Sequence, residues 1–547
     1  MALALKTGAW CLVAGALGAC LASACLPAGD PPAGRQLMKG RTEDFVRFVG
    51  GAAGQSPRII VSRLQPALEP MGNTSLAIST VDDPGPGGEA TPPRFLLDRV
   101  SAMGIGCRST ECDVPTDSLG RLYLTRATFT PSTRQPGGTE QRDEIFRVDP
   151  RTGATDSFGR TSDLQISADR TRTAVLETSD ELALRWIVRE IGGEETIVPW
   201  HSDDVFVDND FYFRTDDAQI RRLRPDRQSE VVATDVGNFQ VKQTERGPLL
   251  VIRLFRNPAW VLVDPVTLAV STLPLATASS QQIFPSPSGR YLFSLGGSDQ
   301  TSRPPVTFFD RDTGEEQQDI SPVPFGRATP VWRPGHDEIW LQTGADIWAW
   351  KPGERLMKLL EGGLSVPFFN SGPDQSLFTR DGRFWFWAQP GVPGQGETFS
   401  IFLRSADDPG YEPLLLNPSG AGVARLWPLP DGRLLVELYI SDAKRNDIYV
   451  VDPVARTTRA LANTGNVLAV GRDRFLALLH WVTGGSGELT IVDVATGTHR
   501  RLGENVYSVA VEKQASDDPL APETRVAFLV RNRIASPFDG LWVTALP

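Results

Sequence analysis

Residues Ile283 to Gln317, IFPSPSGRYLFSLGGSDQTSRPPVTFFDRDTGEEQ, read as strand, loop, strand, turn. Ser286-Pro287-Ser288-Gly289-Arg290 makes a corner, because proline presets φ and glycine accepts the positive φ that other residues resist. Tyr291 to Leu295 supplies a short apolar strand. After a polar loop, Val306 to Phe309 gives a second, and Asp310-Arg311-Asp312-Thr313-Gly314 turns the chain back. A lone hairpin of this kind cannot bury its faces, so it needs copies beside it.

The copies are present from Leu119 onward. Ile145-Phe146-Arg147-Val148 runs into Asp149-Pro150-Arg151-Thr152-Gly153, and Trp260-Val261-Leu262-Val263 precedes Asp264-Pro265-Val266-Thr267. Ile448 to Val451 leads to Asp452-Pro453, and Leu489 to Val492 leads to Asp493-Val494-Ala495-Thr496-Gly497. Partner strands open on polar corners at Arg380-Asp381-Gly382-Arg383 and Pro430-Asp431-Gly432-Arg433. Looser copies surround Ser167-Ala168-Asp169, Val205 to Arg214 and Asp337 to Trp350.

Successive corners fall about 40 to 50 residues apart, with about four short strands per unit and scarcely any helical pattern, as a radial β-propeller requires. A parallel β-helix has shorter periods. The reading is therefore all-β: a propeller of seven or eight four-stranded blades over 119–547, with two smaller propellers as the alternative. A generous count finds nine or ten candidate units, more than a usual ring holds. The last strand, Gly540 to Thr544, ends almost at the final residue, which suits a ring whose last blade is completed by an N-terminal strand.

Upstream the chain has a different character. A short segment carrying Lys6 precedes an apolar, small-residue run from Gly8 to Ala24, the pattern of a secretory signal and not of a bilayer span. Leu17-Gly18-Ala19-Cys20 resembles the bacterial lipobox, which implies cleavage after residue 19 and acylation of Cys20, with Cys25 as second choice. Ala22-Ser23-Ala24 would serve ordinary secretion instead. Residues 20–42 are rich in proline and glycine and read as a tether. Residues 43–118 read as an irregular segment with some β character.

Lysine and arginine number 55 against 66 acidic residues, a net charge of -11, which excludes a polybasic nucleic-acid or membrane surface. Membrane contact is thus expected through the lipid alone. Cys107 and Cys112 are the only cysteines far from the signal. In an exported protein they would form a disulfide, whose short loop is worth about 2 kcal/mol on the entropic view.

The corners SPSGRYLFSL, TRDGRFWFWA and LPDGRLLVEL resemble the PD40, or WD40-like, repeat of the TolB family. The resemblance implies a periplasmic or surface protein of a bacterial cell envelope that binds proteins or peptides. It also implies that Asp381, Gly382, Asp431 and Gly432 shape turns and are not catalytic. No N-terminal α/β domain is apparent, so the Tol-system partners do not follow.

Chemistry has few footholds. Gly485-Ser486-Gly487 lacks the nucleophile elbow of the propeller peptidases and suits a hairpin loop. Thr379 to Trp385 lacks a spacer of the sialidase Asp box and reads as a turn. His201, His336, His480 and His499 are too scattered to show ligand spacing, and Asp310 to Gly314 or Asp208 to Asp210 fall short of a calcium loop. No catalytic residue, metal ligand or cofactor site is assigned. Trp348 and Trp350, like Trp385 and Trp387, stand two apart and so share a strand face. They either pack between blades or form an aromatic surface for peptide or sugar. The expected function is a protein- or peptide-binding scaffold. The alternative is a polysaccharide hydrolase or lyase with its site at the central channel.

Overall fold

The computed structural model describes residues 31–40, 43–49, 58–65, 75–83, 92–101, 114–131, 139–160, 163–178, 184–191, 193–201, 203–256, 259–273, 282–295, 305–320, 329–343, 346–361, 378–379, 381–390, 399–416, 422–429, 431–440, 445–463, 466–470, 475–482, 486–512, 525–532 and 535–546. Every regular element among them is a strand. No helix among them is long and apolar enough to cross a membrane. Cys20, Cys25, Cys107 and Cys112 lie outside the described residues.

The strands form antiparallel sheets, six of four strands, one of three and two of seven, whose order follows the chain except where Arg35–Lys39 joins the last sheet. The repeat quoted first shows why. Gln282–Pro285 pairs with Tyr291–Leu295, that strand with Pro305–Asp310, and that one with Glu316–Ile320. The Ser-Pro-Ser-Gly-Arg corner joins the first two strands, and the Asp-x-x-Thr-Gly turn joins the last two, so both turns lie on one face of the molecule.

Each seven-stranded sheet is two units in sequence. In the first, Arg94–Ser101 meets Leu122–Pro131 only at Val100 and Arg126. In the other, the single strand His499–Val511 pairs with Ser486–Asp493 through its first half and with Arg525–Val530 through its second. The units therefore run 45–101, 114–159, 164–199, 205–233, 236–272, 282–320, 329–360, 378–415, 422–463, 466–503 and 506–545. They are numbered first to eleventh below. The segment read as irregular, 43–118, supplies the first of these units as a regular sheet, and the other ten follow it, against the seven or eight four-stranded blades expected there.

Each unit buries both faces. Along Phe384–Trp387, Phe384 and Phe386 point to the ninth unit, where they meet Leu434 and Val436. Trp385 and Trp387 point to the seventh, where they meet Trp340. Alternation puts successive side chains on opposite faces, and burial of both turns the strand into a continuous apolar run. Such a cluster joins every consecutive pair of units, and one more joins the eleventh to the first through Leu37, Ala527, Leu541, Val46, Ile59 and Val81.

The ends of the chain meet at that junction. Arg35–Lys39, within the stretch read as tether, pairs antiparallel with Gly540–Ala545 and becomes the outer strand of the eleventh unit. The N-terminal strand thus completes the last sheet, as the placement of Gly540 to Thr544 suggests. Asp83 of the first unit forms ion pairs with Arg35 and with Arg525, the latter at 2.9 Å, and Arg525 also binds Glu512 at 2.6 Å.

Candidate functional site

The corners are built alike. Asp310 accepts the backbone N–H of Asp312 at 2.9 Å, and Gly314 takes φ +76° and returns its own N–H to the Asp310 carbonyl at 2.8 Å. Asp149 with Gly153 and Asp493 with Gly497 repeat this geometry. At the other corner type, Ser286 and Thr379 each close a loop of five residues, with Gly289 and Gly382 at φ +71° and +67°.

Neighbouring corners are bonded to each other. Ser118 N–H donates to the Arg170 carbonyl at 2.9 Å, Ala168 to Asp208 at 2.9 Å and Glu245 to Pro287 at 2.8 Å. Ser288 Oγ donates to Asp337 at 2.8 Å, and Arg333 Nε to the Gly382 carbonyl at 2.7 Å. The repeated motif therefore turns the chain and, at these five junctions between the second unit and the eighth, also links one unit to the next.

Between the eighth and ninth corners a pocket of about 390 Å³ opens, lined by Asp381, Arg383, Phe384, Asp431, Gly432, Arg433, Asp452 and Val454. Asp381 Oδ1 accepts from Thr379 Oγ1 at 2.6 Å and from Arg383 N–H at 3.1 Å. Arg433 Nε pairs with Asp431 Oδ2 at 2.6 Å. Asp452 accepts from the backbone of Val454 and Ala455 at 2.9 and 2.8 Å. The Arg383 guanidinium lies 5.8 Å from the Phe384 ring centroid. The pocket thus joins aspartates that mostly serve their own turns to one basic group that no ion pair holds among the described residues.

Asp381, Gly382, Asp431 and Gly432 do shape turns, as the resemblance implied, but apart from Gly382 they also line this pocket. Sequence reasoning missed Arg383, Arg433, Asp452 and Val454. The available signal was the Gly-Arg step shared by four corners, at Arg121, Arg290, Arg383 and Arg433.

The tryptophans lie elsewhere. Trp350, Trp385 and Trp387 are 0%, 2% and 3% exposed. Trp350 sits 4.3 Å from Phe308 and Trp385 5.0 Å from Trp340, centroid to centroid, each across a junction between units. Their two-residue spacing places them on one strand face, and that face is pressed against the neighbouring sheet. These three are therefore core, not a ligand surface. Trp348 is half-buried with Lys358 over its ring at 5.7 Å.

The histidines do not converge. His201 is half-buried with Nδ1 3.2 Å from an Arg214 nitrogen, and burial pushes its pKa down. His336 and His499 are exposed, and the His480 side chain lies outside the described residues. Among the described residues no group of three or more His, Cys, Asp or Glu is placed to hold a metal ion. Ser486 opens a strand beside a hairpin, paired with Val482.

Sequential antiparallel sheets, cores shared between neighbours and a terminal strand that completes the last sheet define an all-β protein of the propeller class. No family model matches the chain, and no curated protein does. Among solved structures, Porphyromonas gingivalis dipeptidyl peptidase 4 is 10% identical, with a TM-score of 0.32 over 91% of this chain and 65% of its own length. The propeller domain of the Pyrococcus furiosus trilobed protease is 12% identical, with a TM-score of 0.25 over 70% and 94%. An oligogalacturonate lyase in complex with manganese is 12% identical, with a TM-score of 0.27 over 70% and 98%. The chain spans just under two thirds of the dipeptidyl peptidase. At these identities the likeness concerns the fold alone, and the sheet topology stands without it.

Proposed function

We propose that this chain is a TolB-like propeller of PD40-type repeats, held in a bacterial cell envelope by a lipid on Cys20, that binds a protein or peptide on the face bearing its corners. The ring is read as a single one of eleven blades, supported by the unbroken series of shared cores that returns from the eleventh unit to the first. The observation that carries the binding role is the pocket between the eighth and ninth corners, where Arg383 and the exposed Val454 offer a charge and an apolar contact side by side.

Panning a random heptapeptide library against the immobilised full chain tests this reading. Enrichment is expected, and Val454→Trp, which crowds the pocket from an exposed position, should abolish it. No enrichment, or enrichment indifferent to Val454→Trp, would overturn the binding role. Labelling with radioactive palmitate tests the anchor. Label in the parent and none in Cys20→Ala is expected. Label retained in the mutant would move the site to Cys25, and none in the parent would end the idea.

A second reading keeps the pocket and makes it catalytic, favoured by three aspartates and two arginines around one cavity. Incubating the chain with polysaccharides and assaying new reducing ends or unsaturated products distinguishes it. Turnover lost in Asp431→Asn would establish this reading over the first.

A further inference from the structure

Four corners carry the same Gly-Arg step, and three of the four arginines have a carboxylate. Arg121 pairs with Asp117 at 2.7 Å, Arg290 with Asp310 at 2.7 Å and Arg433 with Asp431 at 2.6 Å. Arg383 has none among the described residues, and the register shows why. Tyr291 pairs with Asp310 in the sixth unit, which places that carboxylate beside Arg290. The equivalent pair in the eighth unit is Phe384 with Ser405, so a hydroxyl stands where the carboxylate would be.

The next carboxylate along, Asp407, is engaged by the buried Arg333 at 2.6 Å. Asp381 is turned away as well. Thr379 Oγ1 and the Arg383 N–H hold its Oδ1, and its Oδ2 stands 3.3 Å from where a side chain on Gly432 would begin. In the ninth corner Leu429 replaces that threonine, and Asp431 is free to reach Arg433.

We propose that Arg383 is the carboxylate-recognising residue of this pocket and that its ligand is an acidic peptide, with Asp381 Oδ2 left to accept a peptide N–H. This deepens the binding role proposed above and rests on it. A guanidinium left unpaired at the edge of a pocket presents a planar donor fork to an incoming carboxylate. The peptide is favoured over an acidic polysaccharide by two features of the lining. Its one aromatic residue, Phe384, is buried and gives a sugar ring no platform. Its aspartates would also repel a polymer charged at every residue.

The test uses isothermal titration of the full chain with acetyl-Gly-Glu-Ala-Glu-Gly-amide and with its glutamine counterpart. The glutamate peptide is expected to bind and the glutamine one to bind about ten-fold more weakly, the cost of a charge-assisted pair. Arg383→Gln should erase that difference. Ser405→Asp, which returns the missing partner and leaves the guanidinium in place, should erase it too, while Arg121→Gln should not. Equal binding of both peptides, or a difference that survives in Arg383→Gln and Ser405→Asp, overturns the inference and leaves the binding role standing. Binding of an oligogalacturonate but of neither peptide overturns the choice of a peptide. Loss of the library enrichment described above would instead remove the binding role itself.

Discussion

Arg333 and Glu338 are both buried, and the pair ties the seventh unit to the eighth. The guanidinium spends Nη1 on Glu338 at 3.0 Å, Nη2 on Asp407 at 2.6 Å and Nε on the Gly382 carbonyl at 2.7 Å. Glu338 also accepts from Trp340 Nε1 at 2.8 Å. Removing one partner strands a buried charge, so Arg333→Ala should cost about 3–5 kcal/mol in urea unfolding, and Arg333→Met with Glu338→Gln should recover part of it. Asp204 carries a prediction about pH. Burial pushes its carboxyl up to about 7, despite hydrogen bonds from His201 and Arg214 N–H at 2.7 and 2.8 Å. The folded state holds this proton more tightly than the unfolded one, whose carboxyl titrates near ~4. Its stabilisation is therefore complete below ~4 and lost as pH rises through about 7. Urea midpoints should fall across that window in the parent and stay flatter in Asp204→Asn. An equal slope in both would assign the pH dependence elsewhere. At this scale the turns are legible, since Asp310 and Gly314 act as their residue types dictate. The freedom of Arg383 is not, because it depends on Ser405, 22 positions away, and on which residue pairs with Phe384.

The element on which closure depends is the strand Arg35–Lys39. Sequence reading anticipates an N-terminal strand at the last sheet, yet assigns these residues to a tether, because proline and glycine nearby mask a five-residue run. Gly540 shows how close the approach is. It takes φ +133°, and a side chain there would collide with the Met38 backbone. Gly353 also has positive φ, at +83°, but faces open space. Gly353→Ala should cost about 1 kcal/mol from backbone strain alone. Gly540→Ala should cost a further ~1–3 kcal/mol from the clash and expose residues 31–40 to limited proteolysis. Equal midpoints for the two variants would contradict the pairing. The tryptophan strands fail as sequence signals for a related reason. Periodicity of two shows which side chains share a face, but only the neighbouring sheet shows whether that face meets water.

Across the whole molecule, the class of fold is legible from the corners, and the number of units is not. The corners at Ser286, Thr379 and Leu429 are strong because their turns need proline, glycine and aspartate. The first unit is quiet because its strands lie apart in the sequence, and the tenth and eleventh merge because one strand, His499–Val511, serves both. Charge distribution follows the same plan. Three of the four Gly-Arg corners pair their arginine with an aspartate, and Arg383, which no ion pair holds among the described residues, marks the proposed site. Everything proposed for that face requires that the units close into one ring with the N-terminal strand as its fastener. Electron cryomicroscopy of the chain from residue 31 onward, viewed down the axis, tests this most directly. A single ring of eleven sheets, with Arg35–Lys39 outermost in the last, is the expected result. Seven or eight sheets, two separate rings, or an open row with the terminal strand unpaired would contradict it.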